Sequence, residues 1–165
     1  MPPAAIRPAR LEDLPAIVAI YNASIPGRLS TADTEPVTVE QRKDWFRSFD
    51  PASRPLWVLE EDGEVRAWLS LNSFYGRPAY HRTVEATVYV ASEYQRRGYA
   101  GRLLAHALEA APALGIATLL AFVFAHNEPS IALFMRLGFA GWGRLPRVAE
   151  FDGVERDLLI LGRRL

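Results

Sequence analysis

The chain contains no cysteine, which removes disulfides, thiolate nucleophiles and cysteine-held zinc from consideration. Its three histidines, at positions 81, 106 and 126, are too scattered to suggest a metal centre, and none is expected. Neither sign of charge is in excess: 19 Lys and Arg stand against 19 Asp and Glu, which argues against the broad positive field of a nucleic-acid binder. No apolar run reaches membrane-spanning length, and the N-terminus lacks the charged-then-apolar layout of a secretory signal. A soluble cytoplasmic protein with no membrane or nucleic-acid partner is therefore expected. Internal repeats, low-complexity tracts and a proline-rich linker are also missing. What remains is 165 residues, half of them apolar, enough to fill one core; residues 1–165 are read as a single domain.

The most informative stretch runs from Thr83 to Ala110. Val84, Ala86, Val88 and Val90 alternate with Glu85, Thr87 and Tyr89, the period of a strand with one apolar face, so Glu85 points away from the valines. After Gln95-Arg96-Arg97-Gly98, the residues Ala100, Leu103, Leu104, Ala107, Leu108 and Ala111 recur at helical spacing and predict one buried stripe. A glycine turn that passes directly from strand to helix leaves main-chain N–H groups unpaired at the positive end of the helix dipole. Such a nest suits a pyrophosphate, with Arg96, Arg97 and Arg102 adding charge and Gly98 allowing close approach. An ordinary strand-to-helix loop with solvated arginines would look the same at this level.

Elsewhere, Ala4–Ala9 reads as a short edge strand, since Pro8 cannot donate to a ladder. Leu14, Ile17, Val18 and Tyr21 fall on one face of a helix that starts near Asp13 or Leu14, ahead of Pro15. The loop from Asn22 to Val37 is long enough to suggest a functional role. Thr38 and Gln41 form a capping box for a helix through about Phe49 that carries Trp45 and Phe46. Pro55–Glu60 and Glu64–Leu71 form a hairpin about Asp62-Gly63. The segment Asn72–Arg82, with Phe74, Tyr75, Arg77, Tyr80, His81 and Arg82, is either a substrate wall or lid, or a loop packed over the core. Ile116–Phe124 is an apolar run expected of a strand covered on both faces and parallel to Thr83–Val90. Asn127 caps the next helix, with Ile131, Phe134 and Met135 as its stripe and Gly138 as its stop. Phe139–Leu145 and Val148–Leu161 read as a closing pair of strands about Asp152-Gly153.

Two of these segments carry a resemblance. Gln95-Arg-Arg-Gly-Tyr-Ala100 resembles the pyrophosphate loop of the GNAT superfamily of N-acetyltransferases, and Asn127-Glu-Pro-Ser130 through Leu137-Gly-Phe139 resembles that family's second coenzyme-contacting helix. Ala19-Ile-Tyr-Asn22, Trp45-Phe46 and Thr83–Val90 are similar to the phosphinothricin and methionine-sulfoximine acetyltransferase branch. The resemblance covers nearly the whole chain. It implies an α+β fold: a mixed sheet of about seven strands flanked by about four helices, its central parallel strands splayed apart. It also implies acetyl-CoA as cofactor, bound by Val88, Tyr89, Val90, Gln95, Arg96, Arg97, Gly98, Tyr99, Ala100, Gly101, Asn127 and Ser130.

The same resemblance implies transfer of an acetyl group to the primary amine of a small amino-acid-like substrate. Tyr75, Arg77, Arg82, Glu85, Ala86 and Thr87 would bind it. Glu85 is the expected base, directly or through a water, because an amine must lose its proton to attack; pairing with Arg77 or Arg82 is its alternative role. The family's tyrosine acid is replaced by Phe134, and the branch's aspartate-tryptophan-arginine run by Ser73-Phe74-Tyr75, which puts the herbicide-type substrate in doubt. A non-catalytic acyl-CoA sensor and a peptide or polyamine acetyltransferase are the competing readings, and a homodimer is left open. A dinucleotide-binding domain is disfavoured, since its three-glycine fingerprint is missing.

Overall fold

The computed structural model describes residues 3–165. One mixed sheet runs through the molecule in the order β1-β2-β3-β4-β5-β7-β6. Its strands are β1 (Ala5–Pro8), β2 (Leu56–Glu61), β3 (Glu64–Ser73), β4 (Thr83–Val90), β5 (Thr118–Phe124), β6 (Ala140–Phe151) and β7 (Val154–Arg164). The helices are α1 (Leu14–Ser24), α2 (Val39–Arg47), α3 (Tyr99–Ala110) and α4 (Glu128–Arg136). Pro15 sits in the first turn of α1, where its missing N–H leaves no helical bond unmade. Thr38 and Gln41 exchange both bonds of a capping box at the start of α2.

The alternation in β4 divides the apolar residues between two cores. Val84, Ala86, Val88 and Val90 face α3 and α4, where Leu103, Leu104, Ala107, Ala111 and Phe134 are buried. On the opposite face Tyr89 packs with Trp68, Ile17, Ile20, Trp45 and Phe46 against α1 and α2, and the Trp68 indole donates to the Ile17 carbonyl at 3.2 Å. Two details of the sequence reading change. Met135 is 51% exposed, and Leu133 and Leu137 join Ile131 and Phe134 on the inner side of α4 instead. The interruption expected at residues 146–147 is a bulge inside one continuous β6: Pro146 cannot donate to the ladder, and Arg147 takes a left-handed φ of 52° while its N–H bonds Asp157 Oδ1 at 2.8 Å.

The central feature for function is a parted ladder. β4 and β5 pair in parallel over Thr83–Glu85 and Thr118–Leu120. Beyond Glu85 they separate: β4 stays with β3 to Val90, and β5 stays with β7 to Phe124. A wedge-shaped gap opens toward their C-terminal ends, bordered on the β4 side by backbone groups that β5 does not engage.

Candidate active site

The gap is the floor of a cleft of about 380 Å³. Glu85, Ala86, Thr87, Val88 and Tyr89 form one side and Ala121–Phe124 the other. Asn127, Ser130 and Phe134 of α4 close the inner end, while Leu29–Ala32, Val148, Ala149 and Leu158 make the outer walls. Among the described residues lining the cleft, Glu85 is the one carboxylate, and no lysine or arginine is present.

Glu85 projects from the face of β4 opposite α3 because its position is odd in the strand's alternation. No cation lies within ion-pair distance of it among the described residues, so pairing with Arg77 or Arg82 is not observed. Burial raises its carboxyl pKa above the ordinary glutamate value with nothing to offset the shift. A half-buried, unpaired carboxyl tuned upward is what proton abstraction from an amine requires.

At the open end of the gap the chain makes a short 3-10 turn over Ser92–Tyr94 and enters α3 through Gln95, Arg96, Arg97 and Gly98. Arg96 and Gly98 both adopt left-handed backbone, φ 64° and 80°, on either side of Arg97. Alternation of this kind turns successive N–H groups inward, and the unpaired N–H groups of the first turn of α3, residues 99–101, lie just beyond. A Cβ built on Gly98 would meet nothing within 4 Å, so the main chain there is open to a ligand. This concave set of donors fits a diphosphate.

The three arginines read as phosphate ligands are not equivalent. Arg97 lies over the ring of Tyr94 at 4.6 Å, and Arg102 bonds the Ala4 carbonyl at 2.8 Å. Arg96 is exposed and, among the described residues, has no such partner.

The remaining sequence-expected residues divide. Asn127 caps α4 by accepting from Ser130 N at 3.3 Å, and its amide donates to the Leu29 carbonyl at 3.1 Å, so it also spans the cleft. Val88 lines the gap, whereas Val90 lies outside the cleft and packs toward α3. The Tyr89 ring stacks on Trp68 at 5.0 Å and its hydroxyl reaches the Ser30 carbonyl at 3.1 Å; burial raises its pKa. Gln95, Tyr99, Ala100 and Gly101 belong to the loop and first turn described above.

Tyr75, Arg77 and Arg82 do not reach the cleft. They gather at the paired end of β4, where Ala117 and Thr118 N–H groups bond the Arg82 carbonyl and shut the sheet. Tyr75 is 78% exposed, in contact with Phe74 and Tyr80, so the substrate-wall reading of Asn72–Arg82 gives way to a surface cluster.

What the residue pattern did not single out is the wall Leu29–Ala32. It is tied to β4 by Tyr89, to α4 by Asn127 and to the end of β5 by His126 Nε2, 2.8 Å from the Arg28 carbonyl. Arg28 also pairs with Asp152 in the β6–β7 turn at 3.3 Å. Tyr21 bonds Thr31 at 2.6 Å and also Asp33, which Arg42 joins at 3.3 Å. The length of the Asn22–Val37 loop was the one signal; the contacts that fix residues 28–30 against the cleft are remote in sequence and have no periodicity.

The geometry now has relatives. The model of the Acetyltransferase (GNAT) family matches residues 15–139. A Bacillus subtilis (strain 168) protein named "Putative phosphinothricin acetyltransferase YwnH" is 52% identical over 97% of this chain and 98% of its own. The "L-methionine sulfoximine/L-methionine sulfone acetyltransferase" of Pseudomonas aeruginosa PAO1 is 32% identical over 96% of this chain and 92% of its own. A GNAT superfamily phosphinothricin acetyltransferase from Sinorhizobium meliloti, solved in complex with AcCoA, superposes with a TM-score of 0.92 at 26% identity, covering 98% of this chain and 88% of that one. The match over most of the chain and the parted β4–β5 ladder agree: the chain belongs to the acetyltransferase (GNAT) family.

Proposed function

We propose that the protein transfers the acetyl group of acetyl-CoA to the primary amine of a small amino-acid-like acceptor, of the phosphinothricin or methionine-sulfoximine type or a related L-amino acid. The named activities of the relatives support the acceptor class, and the neighbour solved with AcCoA supports the donor. The observation that carries the reading is Glu85, half-buried and without an ion-pair partner among the described residues, at the point where β5 leaves β4.

The coenzyme supplies an activated acyl group as a thioester. Residues 96–101 hold its diphosphate through main-chain N–H groups, with Arg96 adding charge. Val88 to Val90 run beside the pantetheine arm, and Asn127 and Ser130 contact it. Backbone N–H groups near Val88 that β5 does not engage would hydrogen-bond the thioester carbonyl oxygen as charge builds there. Glu85 takes the proton from the acceptor's ammonium, directly or through a water, so the neutral amine can attack. Ala86 and Thr87 border the acceptor. Phe134 has no proton to give, so the departing thiolate would take one from solvent, and the second proton lost by the acylated nitrogen would pass to solvent.

With no cationic side chain among the described residues on the walls, an acceptor carboxylate would meet the hydroxyls of Ser30 and Thr87, since that of Thr31 is engaged by Tyr21 and by Asp33 N. A single catalytic domain over residues 1–165, working in the cytoplasm, is part of this reading. The exposed Trp142, Leu145 and Val148 on the β6 edge support a homodimer.

Calorimetric titration with acetyl-CoA followed by thiol-release assays over amino acids and their carboxamides tests the proposal. Saturable binding with turnover of at least one amino acid is expected. Absence of coenzyme binding at about millimolar concentration, above the usual range of KM, would end it.

A further inference from the structure

We propose that Tyr94 is a positioning residue for the coenzyme loop, braced by Arg66 of β3; this rests on the diphosphate lying at residues 96–101. The loop has a problem of shape. Its donors converge only while Arg96 and Gly98 stay left-handed, and for Arg96 that backbone is disfavoured by its own Cβ. Something outside the loop must hold it.

The hairpin β2–β3 supplies the hold at both ends. At one end the Tyr94 ring has the Arg66 guanidinium over it at 4.3 Å and that of Arg97 at 4.6 Å. Arg66 is itself fixed: its side chain is 16% exposed, Nη1 pairs with Glu64 at 2.5 Å, and its carbonyl accepts from Ala91 N at 2.8 Å. At the other end the Tyr99 hydroxyl donates to Glu61 at 2.7 Å, and its ring lies parallel to that of Tyr94 with centroids 6.2 Å apart. Residues 95–98 thus span two aromatic posts footed on the same hairpin. Placing the Arg97 guanidinium on Tyr94 fixes the peptide between the two left-handed residues, and cation–π attraction grows when the groups are desolvated, as Arg66 is. Among the described residues the Arg66 Nε has no partner, and it is shielded from solvent, so stacking on Tyr94 is a main stabilisation of that guanidinium's position.

Titration of the full chain with coenzyme A separates this role from plain packing. Tyr94→Leu keeps an apolar side chain against the core and Arg66→Met keeps the aliphatic stem; each should raise Kd about tenfold, while Tyr94→Phe, which keeps the ring, should stay within about threefold. Circular dichroism should show all three folded. Parent-like affinity in Tyr94→Leu and Arg66→Met, or equal loss in Tyr94→Phe and Tyr94→Leu, overturns the proposal. Gly98→Val is the control for the placement beneath it. If Gly98→Val leaves Kd unchanged, the diphosphate is elsewhere and both readings fail; if it weakens binding while Tyr94→Leu does not, only the bracing role fails.

Discussion

The two ends of β4 make opposite use of similar residues. At the paired end, Asn72–Arg82 collects aromatics and arginines yet forms a surface cluster outside the cleft, because the ladder with β5 and the bonds to Arg82 O keep the strands together there. At the parted end the side chains are less conspicuous, and two of the three arginines there are engaged with Tyr94 and Ala4. What is free there is main chain that β5 does not pair, beside one carboxyl. Side-chain composition is thus a poor guide to this site, whereas the place where hydrogen bonding of the sheet stops is a good one.

The sharpest way to break that comparison is at Glu85. Glu85→Gln should lower kcat by about a hundredfold to ten-thousandfold with coenzyme affinity kept, as read by steady-state kinetics beside calorimetry. The acid limb of the parent's rate profile should lie above the ordinary glutamate range, following the direction of the shift. The sign for stability is the reverse of that for a paired carboxylate. Because burial raises the folded-state pKa, folding is favoured while Glu85 is protonated, and stability falls as pH rises from the ordinary glutamate range through the folded value. Glu85→Gln should therefore melt higher than the parent at neutral pH, with the gap closing below the ordinary glutamate range; an unchanged gap across that range would disprove the buried, unpaired state.

Next in size, Gly98→Val should weaken coenzyme A binding at least tenfold, roughly the cost of losing donors and straining a left-handed residue. The open space at its Cβ adds no clash, and the left-handed strain of about 1–3 kcal/mol falls on an exposed loop, so the protein should fold with somewhat reduced stability. Smaller again, Arg96→Ala should cost about threefold to fivefold in affinity, the scale of one exposed charge contact, and lessen the salt dependence of binding. Finally, Tyr75→Ala, Arg77→Ala and Arg82→Ala should each change KM and kcat by less than about twofold, in keeping with isolated surface substitutions. A large effect from any of the three would show that the paired end takes part after all.

Much of the frame was legible because it is local. Thr38 with Gln41 announced a helix start, the valines of β4 announced a face, and Gly98 before an apolar helical stripe announced the nest. The faults lie where distant segments decide. Met135 has helical spacing suited to burial, but α4 is rolled so that Leu133 and Leu137 are inside. Residues 146–147 fell between two expected segments, and the bond from Arg147 N to Asp157 is what keeps them in one strand as a bulge. Tyr75, Arg77 and Arg82 had the right chemistry on the wrong side of a closure that no short stretch of sequence encodes. Leu29–Ala32 had no pattern at all.

That last segment carries a consequence for how the enzyme could change its taste in acceptors. Four anchors from three separate parts of the chain, Tyr89, His126 with Asn127, and Asp152, hold residues 28–30 in place. Replacing one residue of the segment alters a surface, but altering its path means releasing several distant ties together. Evolution toward a bulkier acceptor would thus proceed more readily through Val148 on the facing bulge, which can be exchanged without disturbing that web.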